Sequence, residues 1–172
     1  MMNEFIDAYS DDQIYLSMIK ELVDNHPVES TVPEKIKYSS FCRLWVVMMV
    51  GSIESMIKVW DTGDFLWADI SAYFDKQSNE DKVDRLEKAF NLRGLNVDVE
   101  MFKDFLAIKY IRNSYVHSNW NETHRKFVIS RKFPKDVMSF EARHFDRMQA
   151  VYDHIMNGLG MIHALNSTLQ KP

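Results

Sequence analysis

The sequence contains little of the material from which turn-rich or disulfide-linked folds are built. Its 172 residues include five glycines, four prolines and a single cysteine, Cys42. So few glycines and prolines argue against a β architecture with many tight turns. One cysteine excludes an intramolecular disulfide and suits a reducing compartment, and its apolar surroundings predict a buried thiol.

Several sequence patterns that carry known chemistry are also missing. The chain has no glycine-rich phosphate loop, no Gly-x-Ser-x-Gly turn and no histidine spacing typical of zinc ligands. We therefore predict no metal and no cofactor. The longest apolar run, Leu44 to Val50, is too short to span a bilayer, and no positively charged leader precedes an apolar segment. These features predict a cytoplasmic protein without a membrane partner.

Apolar residues recur at helical spacing along most of the chain, which predicts an all-α protein. The length fits one domain. Residues 126–130 are rich in β-branched and aromatic side chains, which is typical of an extended piece, so a basic loop or small β-hairpin is expected there. The predicted parts are an N-terminal helix and linker over 1–34, core helices over 35–120, the basic loop or hairpin over 121–138, and a C-terminal helix over 139–169.

Three helix ends are expected from local signals. His26 precedes Pro27, which disfavours a helical conformation and should end the first helix. Ser78 or Asn79 should cap a later helix, and Ser139 should cap the last one.

Charge is unevenly distributed, although the formal net charge is only −4. Residues 1–34 contain eight acidic side chains and a single basic one, Lys20. Residues 103–147 contain ten Lys or Arg side chains against five Asp or Glu. A local positive field of this kind attracts polyanions whatever the overall charge. Two solvated surfaces of opposite sign would give the same pattern.

One charged residue, Arg112, interrupts an apolar stripe on a helix that should open at Asp98 or Val99. A guanidinium stays charged and is almost never fully buried without a partner, so Arg112 must face an anion or an interface. The apolar members of the stripe are Met101, Phe105, Ile108, Tyr115 and Val116.

Asn113 and His117 follow Arg112 on the same helix and lie one turn apart. Arg112 and His117 point about 140° away from each other on a regular helix. Three arrangements would still bring them to one site: the long Arg stem spans part of the gap, the helix ends there, or a two-fold axis places an Arg of one chain beside a His of another.

Glu54 is a second charged residue in apolar surroundings, here on a long helix whose middle is hydrophobic all round. A carboxylate near a buried region needs a charged or hydrogen-bonding partner, and Arg112 is one candidate. The alternative is a surface Glu at the edge of the helix.

The order Arg112-Asn113, three residues, His117 resembles the Arg-polar-x-x-x-His signature of the HEPN superfamily of helical domains. The resemblance implies a HEPN-like helical bundle and a metal-independent endoribonuclease of toxin–antitoxin or phage-defence systems. Such enzymes act as homodimers with a composite site and leave a 2′,3′-cyclic phosphate, and many carry a Glu on the second helix. Members whose Tyr is modified by a partner nucleotidyltransferase carry it two residues after the His, where this chain has Asn119, so the resemblance does not extend to that chemistry.

The motif residues suit cleavage of RNA. Imidazole is a suitable group for proton transfer, so His117 is the predicted proton carrier, whereas Arg112 suits the phosphate charge and Asn113 would orient the imidazole or contact phosphate. With Glu54 they form the predicted catalytic set. Basic groups interleaved with aromatics suit single-stranded RNA, although a loop folded over the core is the alternative. The predicted RNA-binding residues are Lys109, Trp120, Arg125, Lys126, Arg131 and Lys132.

Two further functions fit the same residues. The chain would otherwise be a non-catalytic HEPN-like module that binds RNA, nucleotide or a partner protein such as an antitoxin or another defence component. A purely structural helical subunit would neither cleave nor bind RNA.

Overall fold

The computed structural model describes residues 4–25, 33–61, 67–74 and 80–169, and within these ranges it contains α-helices and no β-strand. The all-α prediction is confirmed. The expected ends at His26 and at Ser78 or Asn79 lie outside the described residues. The helices are α1 (Glu4–Asp24), α2 (Glu34–Trp60), α3 (Trp67–Phe74), α4 (Glu80–Leu92), α5 (Val99–Val116), α6 (Glu122–Ser130) and α7 (Ala142–Leu169).

The helix that carries the motif, α5, lies at the centre of the fold. It packs against α2, α4, α6 and α7, and residues 104–111 are all buried. The Asp98 side chain accepts a hydrogen bond from the Glu100 backbone N–H, so the predicted helix start is confirmed. The apolar stripe does not face the core throughout, because Tyr115 and Val116 in the last turn are 40% and 50% exposed.

The apolar middle of α2 packs against α7 through aromatic side chains. Trp45 contacts the rings of Phe145 and Tyr152 with centroids 5.3 and 6.1 Å apart. By length and composition, the Ile36–Trp60 part of α2 would also suffice to cross a membrane, although no uninterrupted apolar run does. More than half of the tested window, 56%, is buried inside the fold, and core helices of soluble proteins meet the same criterion. This finding therefore assigns no membrane role.

The prediction of an extended piece at residues 126–130 is wrong, because this segment belongs to helix α6. The Asn121 side chain accepts hydrogen bonds from the backbone N–H groups of Thr123 and His124, which satisfies two donors of the first turn. Val128 is fully buried on the inner side. This cap and the tertiary contact outweigh the β propensity of the segment, which is weak and depends on context.

The last helix also begins later than predicted. Ser139 donates its hydroxyl hydrogen bond to Asp136 and lies before the helix rather than at its cap. The start of α7 is instead stabilised by His144, whose Nδ1 accepts the backbone N–H of Glu141 at 3.0 Å. A side chain three residues into a helix that accepts the cap residue's N–H is the geometry of a capping box.

The buried His144 makes the free energy of unfolding depend on pH. Burial lowers the pKa of His144, and protonation would also remove the Nδ1 acceptor. As pH falls, the unfolded chain therefore binds this proton before the folded chain does. The contribution of neutral His144 to the free energy of unfolding is complete above about pH 6.5 and is lost at lower pH.

We expect the urea midpoint of the wild type to fall more steeply than that of His144→Gln between about pH 7.5 and about pH 5. Gln can accept the same N–H without titrating in this range. Part of the dependence should remain, because burial also lowers the pKa of His124. Identical slopes for the two proteins would contradict this account of His144.

Candidate active site

An open cavity of about 830 Å³ lies beside α5 and faces α2 and α3. From α5 and its end it is lined by four charged or polar residues, Lys109, Arg112, Asn113 and His117. The four are spaced three, one and four residues apart, which places them along one side of the helix. The cavity brings together all four predicted catalytic residues. Its lining consists of Glu54, Ile57, Lys58, Asp61, Ser71, Ala72, Lys109, Arg112, Asn113 and His117.

Glu54 joins two cations of α5. Its Oε1 lies 2.9 Å from Nζ of Lys109, and both carboxylate oxygens accept hydrogen bonds of 3.0 Å from Nη2 of Arg112. The pairing of Glu54 with Arg112 suggested by the sequence is thus confirmed. The side chain of Lys109 is only 5% exposed, whereas those of Glu54 and Arg112 are 23% and 22% exposed at the cavity wall. Burial lowers the pKa of Lys109, and the hydrogen bond and charge of Glu54 oppose this change.

The guanidinium of Arg112 is held through a single nitrogen rather than through a two-nitrogen fork. Its Nε is buried, and no group of the described residues accepts a hydrogen bond from it. A buried polar group without a partner is uncommon and costs free energy. Arg112 is therefore held in place with part of its hydrogen-bonding capacity unused.

His117 lies at the point where α5 ends. Its backbone N–H still donates to the Asn113 carbonyl, but Ser118 adopts a left-handed conformation with φ of 51°. The N–H of Asn119 then donates to the Ser114 carbonyl, which closes the helix in a Schellman motif. The helix thus ends between Arg112 and His117, which is one of the three arrangements considered from the sequence. The His117 side chain is exposed at the cavity.

Three polar residues of the cavity were missed by sequence reasoning. Lys58 and Asp61 follow Glu54 by four and seven residues, so all three occupy one side of α2, and this spacing was the available signal. Ser71 donates a short hydrogen bond from its hydroxyl to the Asp61 carboxylate. Nothing in the sequence indicates that α3 would bring Ser71 to this place.

The charges at the cavity wall slightly favour an anion. Lys58, Lys109 and Arg112 are positive, whereas Glu54 and Asp61 are negative. Among the described lining residues other than His117, the cations exceed the carboxylates by one.

The predicted RNA-binding residues do not form one continuous basic surface. Lys109 is buried in its pair with Glu54, and Arg131 binds Asp104 and Glu100 with its side chain 19% exposed. Trp120 is half-buried against the core, and its buried indole nitrogen has no hydrogen-bond partner in the part of the chain that the structure describes. RNA binding by these three residues stays a prediction, and it would have to compete with the contacts that they already make.

The other three basic residues of that set lie nearer the surface. Arg125 donates from Nε to the Lys135 carbonyl at 3.0 Å and is half-buried, whereas Lys126 and Lys132 are exposed. None of the three lines the cavity. RNA binding by them stays a prediction.

Among the described residues, no group of three or more His, Cys, Asp or Glu side chains is arranged to hold a metal ion. Comparisons of the chain with protein-family models, with curated proteins and with solved structures find no match.

Proposed function

We propose that the chain is a metal-independent endoribonuclease of the HEPN type, acting on RNA in a toxin–antitoxin or phage-defence system. The observation that carries this proposal is the common cavity: Arg112, Asn113 and His117 line one open space, and Glu54 fixes the guanidinium at its wall. The volume lies in the range of ligand pockets and suits a nucleotide.

The proposed reaction is attack by the ribose 2′-oxygen on the adjacent phosphorus. The 2′-proton passes to a base, the bond from phosphorus to the 5′-oxygen breaks, and that oxygen takes up a proton. The products are a 2′,3′-cyclic phosphate and a free 5′-hydroxyl. His117 is the proton carrier, because its side chain is exposed at the cavity and imidazole titrates near neutrality.

A homodimer with a composite site would supply a second proton carrier, because His117 is the one histidine among the described residues that line the cavity. Base and acid would then be two copies of His117. Asn113 lies one turn before His117 and would contact phosphate or the imidazole ring.

Electrostatic stabilisation of the transferring phosphate falls to Arg112. Preorganised cations stabilise charge that develops at phosphorus without having to reorient during the reaction. An entering phosphate competes with Glu54 for the hydrogen bonds of Nη2.

The test is incubation of the purified protein with labelled RNA in EDTA, which inhibits metal-dependent nucleases by binding their metal ions. We expect the wild type to cleave and the His117→Ala variant to lose about 10²–10⁴-fold in rate, as proton transfer by a positioned side chain contributes. Arg112→Ala should lose a comparable factor. Arg143→Ala is the matched control, because Arg143 is 75% exposed on α7 and outside the cavity.

Equal cleavage by all four proteins would assign the activity to a contaminant and contradict the proposal. The ion pair favours a second candidate function, because Glu54 already accepts the hydrogen bonds that Nη2 of Arg112 would donate to a substrate. In that case the chain is a non-catalytic HEPN-like module that binds RNA, nucleotide or a partner protein such as an antitoxin. RNA binding that needs Arg112, without cleavage by any variant, would support this candidate.

A further inference from the structure

α1 presents a row of large apolar side chains to solvent. Each is between 60% and 69% exposed, whereas Leu16 and Val23 on the other side of the helix are buried in the core. Scattered single apolar residues are normal on protein surfaces, but a contiguous row marks an interaction site. The exposed residues are Ile14, Tyr15, Met18 and Leu22.

Two exposed carboxylates continue this row toward the N-terminus of α1. Asp7 and Asp11 are followed by the apolar positions at steps of three or four residues, so the members from Asp7 to Leu22 lie within about 100° around a regular helix. This is the spacing of a seam between two packed helices. We define the outer face of α1 as Asp7, Asp11, Ile14, Tyr15, Met18 and Leu22.

The carboxylates disfavour a second copy of the chain as the occupant of the outer face. In a parallel pair, Asp7 and Asp11 of each copy would face the same carboxylates of the other and repel them. In an antiparallel pair they would face Leu22 and Met18, so that charged groups would be buried without partners.

The same charges disfavour a lipid surface. Helices that lie on membranes carry Lys and Arg on their polar side and are attracted to anionic lipids. In α1 the described side chains beside the outer face include Asp12, Glu21 and Asp24, and Lys20 is paired with Asp24 at 2.6 Å. An anionic membrane would repel this helix.

We propose that the outer face of α1 binds a basic amphipathic helix of a partner protein. The partner's apolar side chains would pack on Ile14, Met18 and Leu22, and its Lys or Arg side chains would meet Asp7 and Asp11. Charge complementarity of this kind sets partner choice and orientation between packed helices. The inference does not depend on ribonuclease activity, because α1 contributes no residue to the cavity.

The probe is a dye-labelled synthetic helix of about 20 residues, long enough to match α1, with Leu along one stripe and Lys beside it. A peptide with Glu in place of Lys and a scrambled peptide of the same composition are the controls. We expect saturable binding of the lysine peptide in fluorescence anisotropy. The two control peptides should bind with a dissociation constant at least about tenfold higher.

Two sets of variants separate the apolar contribution from the charge. Met18→Gln with Leu22→Gln should weaken binding of the lysine peptide about tenfold or more, because buried apolar contacts are lost. Asp7→Lys with Asp11→Lys should weaken binding of the lysine peptide and strengthen binding of the glutamate peptide. Leu92→Gln is the matched control, since Leu92 is 86% exposed on α4. This variant should bind the lysine peptide as the wild type does. Circular dichroism verifies that each variant is folded.

Three results would overturn the proposal. The first is equal binding of the lysine and scrambled peptides, or equal binding by the wild type and the Met18→Gln/Leu22→Gln variant. The second is a dimer of the protein alone that the same double variant dissociates in sedimentation, because the face would then belong to a second copy. The third is attachment to vesicles of equal parts phosphatidylserine and phosphatidylcholine in preference to the lysine peptide.

Discussion

Replacing Asp104 by Ala should lower the free energy of unfolding by about 3–5 kcal/mol, the usual cost of removing one partner from a buried ion pair. Asp104 is 6% exposed and binds two arginines at once. Its Oδ1 accepts from Nε of Arg131 at 2.6 Å, and its Oδ2 accepts from Nη2 of Arg147 at 2.6 Å. Removal of this carboxylate would leave two guanidinium groups close together, with the exposed Glu100 as the remaining partner of Arg131.

The large effect follows from the position of Asp104 in the fold. It lies on α5, Arg131 caps the end of α6, and Arg147 lies on α7, so one carboxylate joins three segments. The guanidinium of Arg147 also stacks 4.7 Å above the Phe133 ring, which fixes the turn after α6. Loss of the carboxylate would loosen all three attachments together.

Glu100→Ala is the matched control for this prediction, because Glu100 binds the same Arg131 at 2.6 Å but its side chain is 59% exposed. Exposed ion pairs contribute about 1 kcal/mol or less, since solvent screens them. Urea denaturation of both variants should therefore give a large shift of the midpoint for Asp104→Ala and a small one for Glu100→Ala, with unchanged slopes. Equal midpoints for the two variants would show that Asp104 is not the centre of this network.

The parts of the fold that sequence predicted are those set by local chemistry. Helical periodicity gave the all-α class, and the Asp98 side chain caps α5 as expected. The isolated charges Arg112 and Glu54 also pointed to each other, because a charge in apolar surroundings requires a partner.

The errors arose where distant residues decide the outcome. Arg131 was predicted to bind RNA because basic residues alternate with aromatic residues in this segment, whereas in the structure it binds Asp104, which is 27 residues away in the chain. Arg147 is 43 residues from the same carboxylate. No local pattern reports such pairs. The prediction for residues 126–130 failed for a different reason, because it used their β propensity and did not consider the Asn121 cap that precedes them.

Replacing Glu54 by Gln should lower the free energy of unfolding by about 3 kcal/mol, since Lys109 would keep its burial and lose its carboxylate partner. The penalty should shrink as pH rises. Without the opposing effect of Glu54, burial and the positive charges of Arg112 and Lys82 would lower the pKa of Lys109 further, so the folded variant releases this proton at lower pH than the unfolded chain does. The unfolded state then binds more protons, and stability rises with pH.

A double-mutant cycle isolates this pair. Lys109→Met removes the buried charge, and the Glu54→Gln/Lys109→Met double variant should recover much of the stability lost in Glu54→Gln. Lys58→Met is the control, because it removes a cation from an exposed position of the same cavity and should change stability by about 0.5 kcal/mol or less. Additive effects of the Glu54 and Lys109 replacements would show that the two side chains do not stabilise each other.

The same variants separate the fold from the proposed chemistry. Glu54 contacts Arg112 and is therefore a positioning residue, so Glu54→Gln/Lys109→Met should fold well but hold the guanidinium less firmly. We expect its cleavage rate to fall about tenfold, less than for Arg112→Ala, because the cation is still present but less preorganised. A double variant that is stable and cleaves RNA at the wild-type rate would show that Glu54 serves stability alone, and that Arg112 needs no support at the cavity wall.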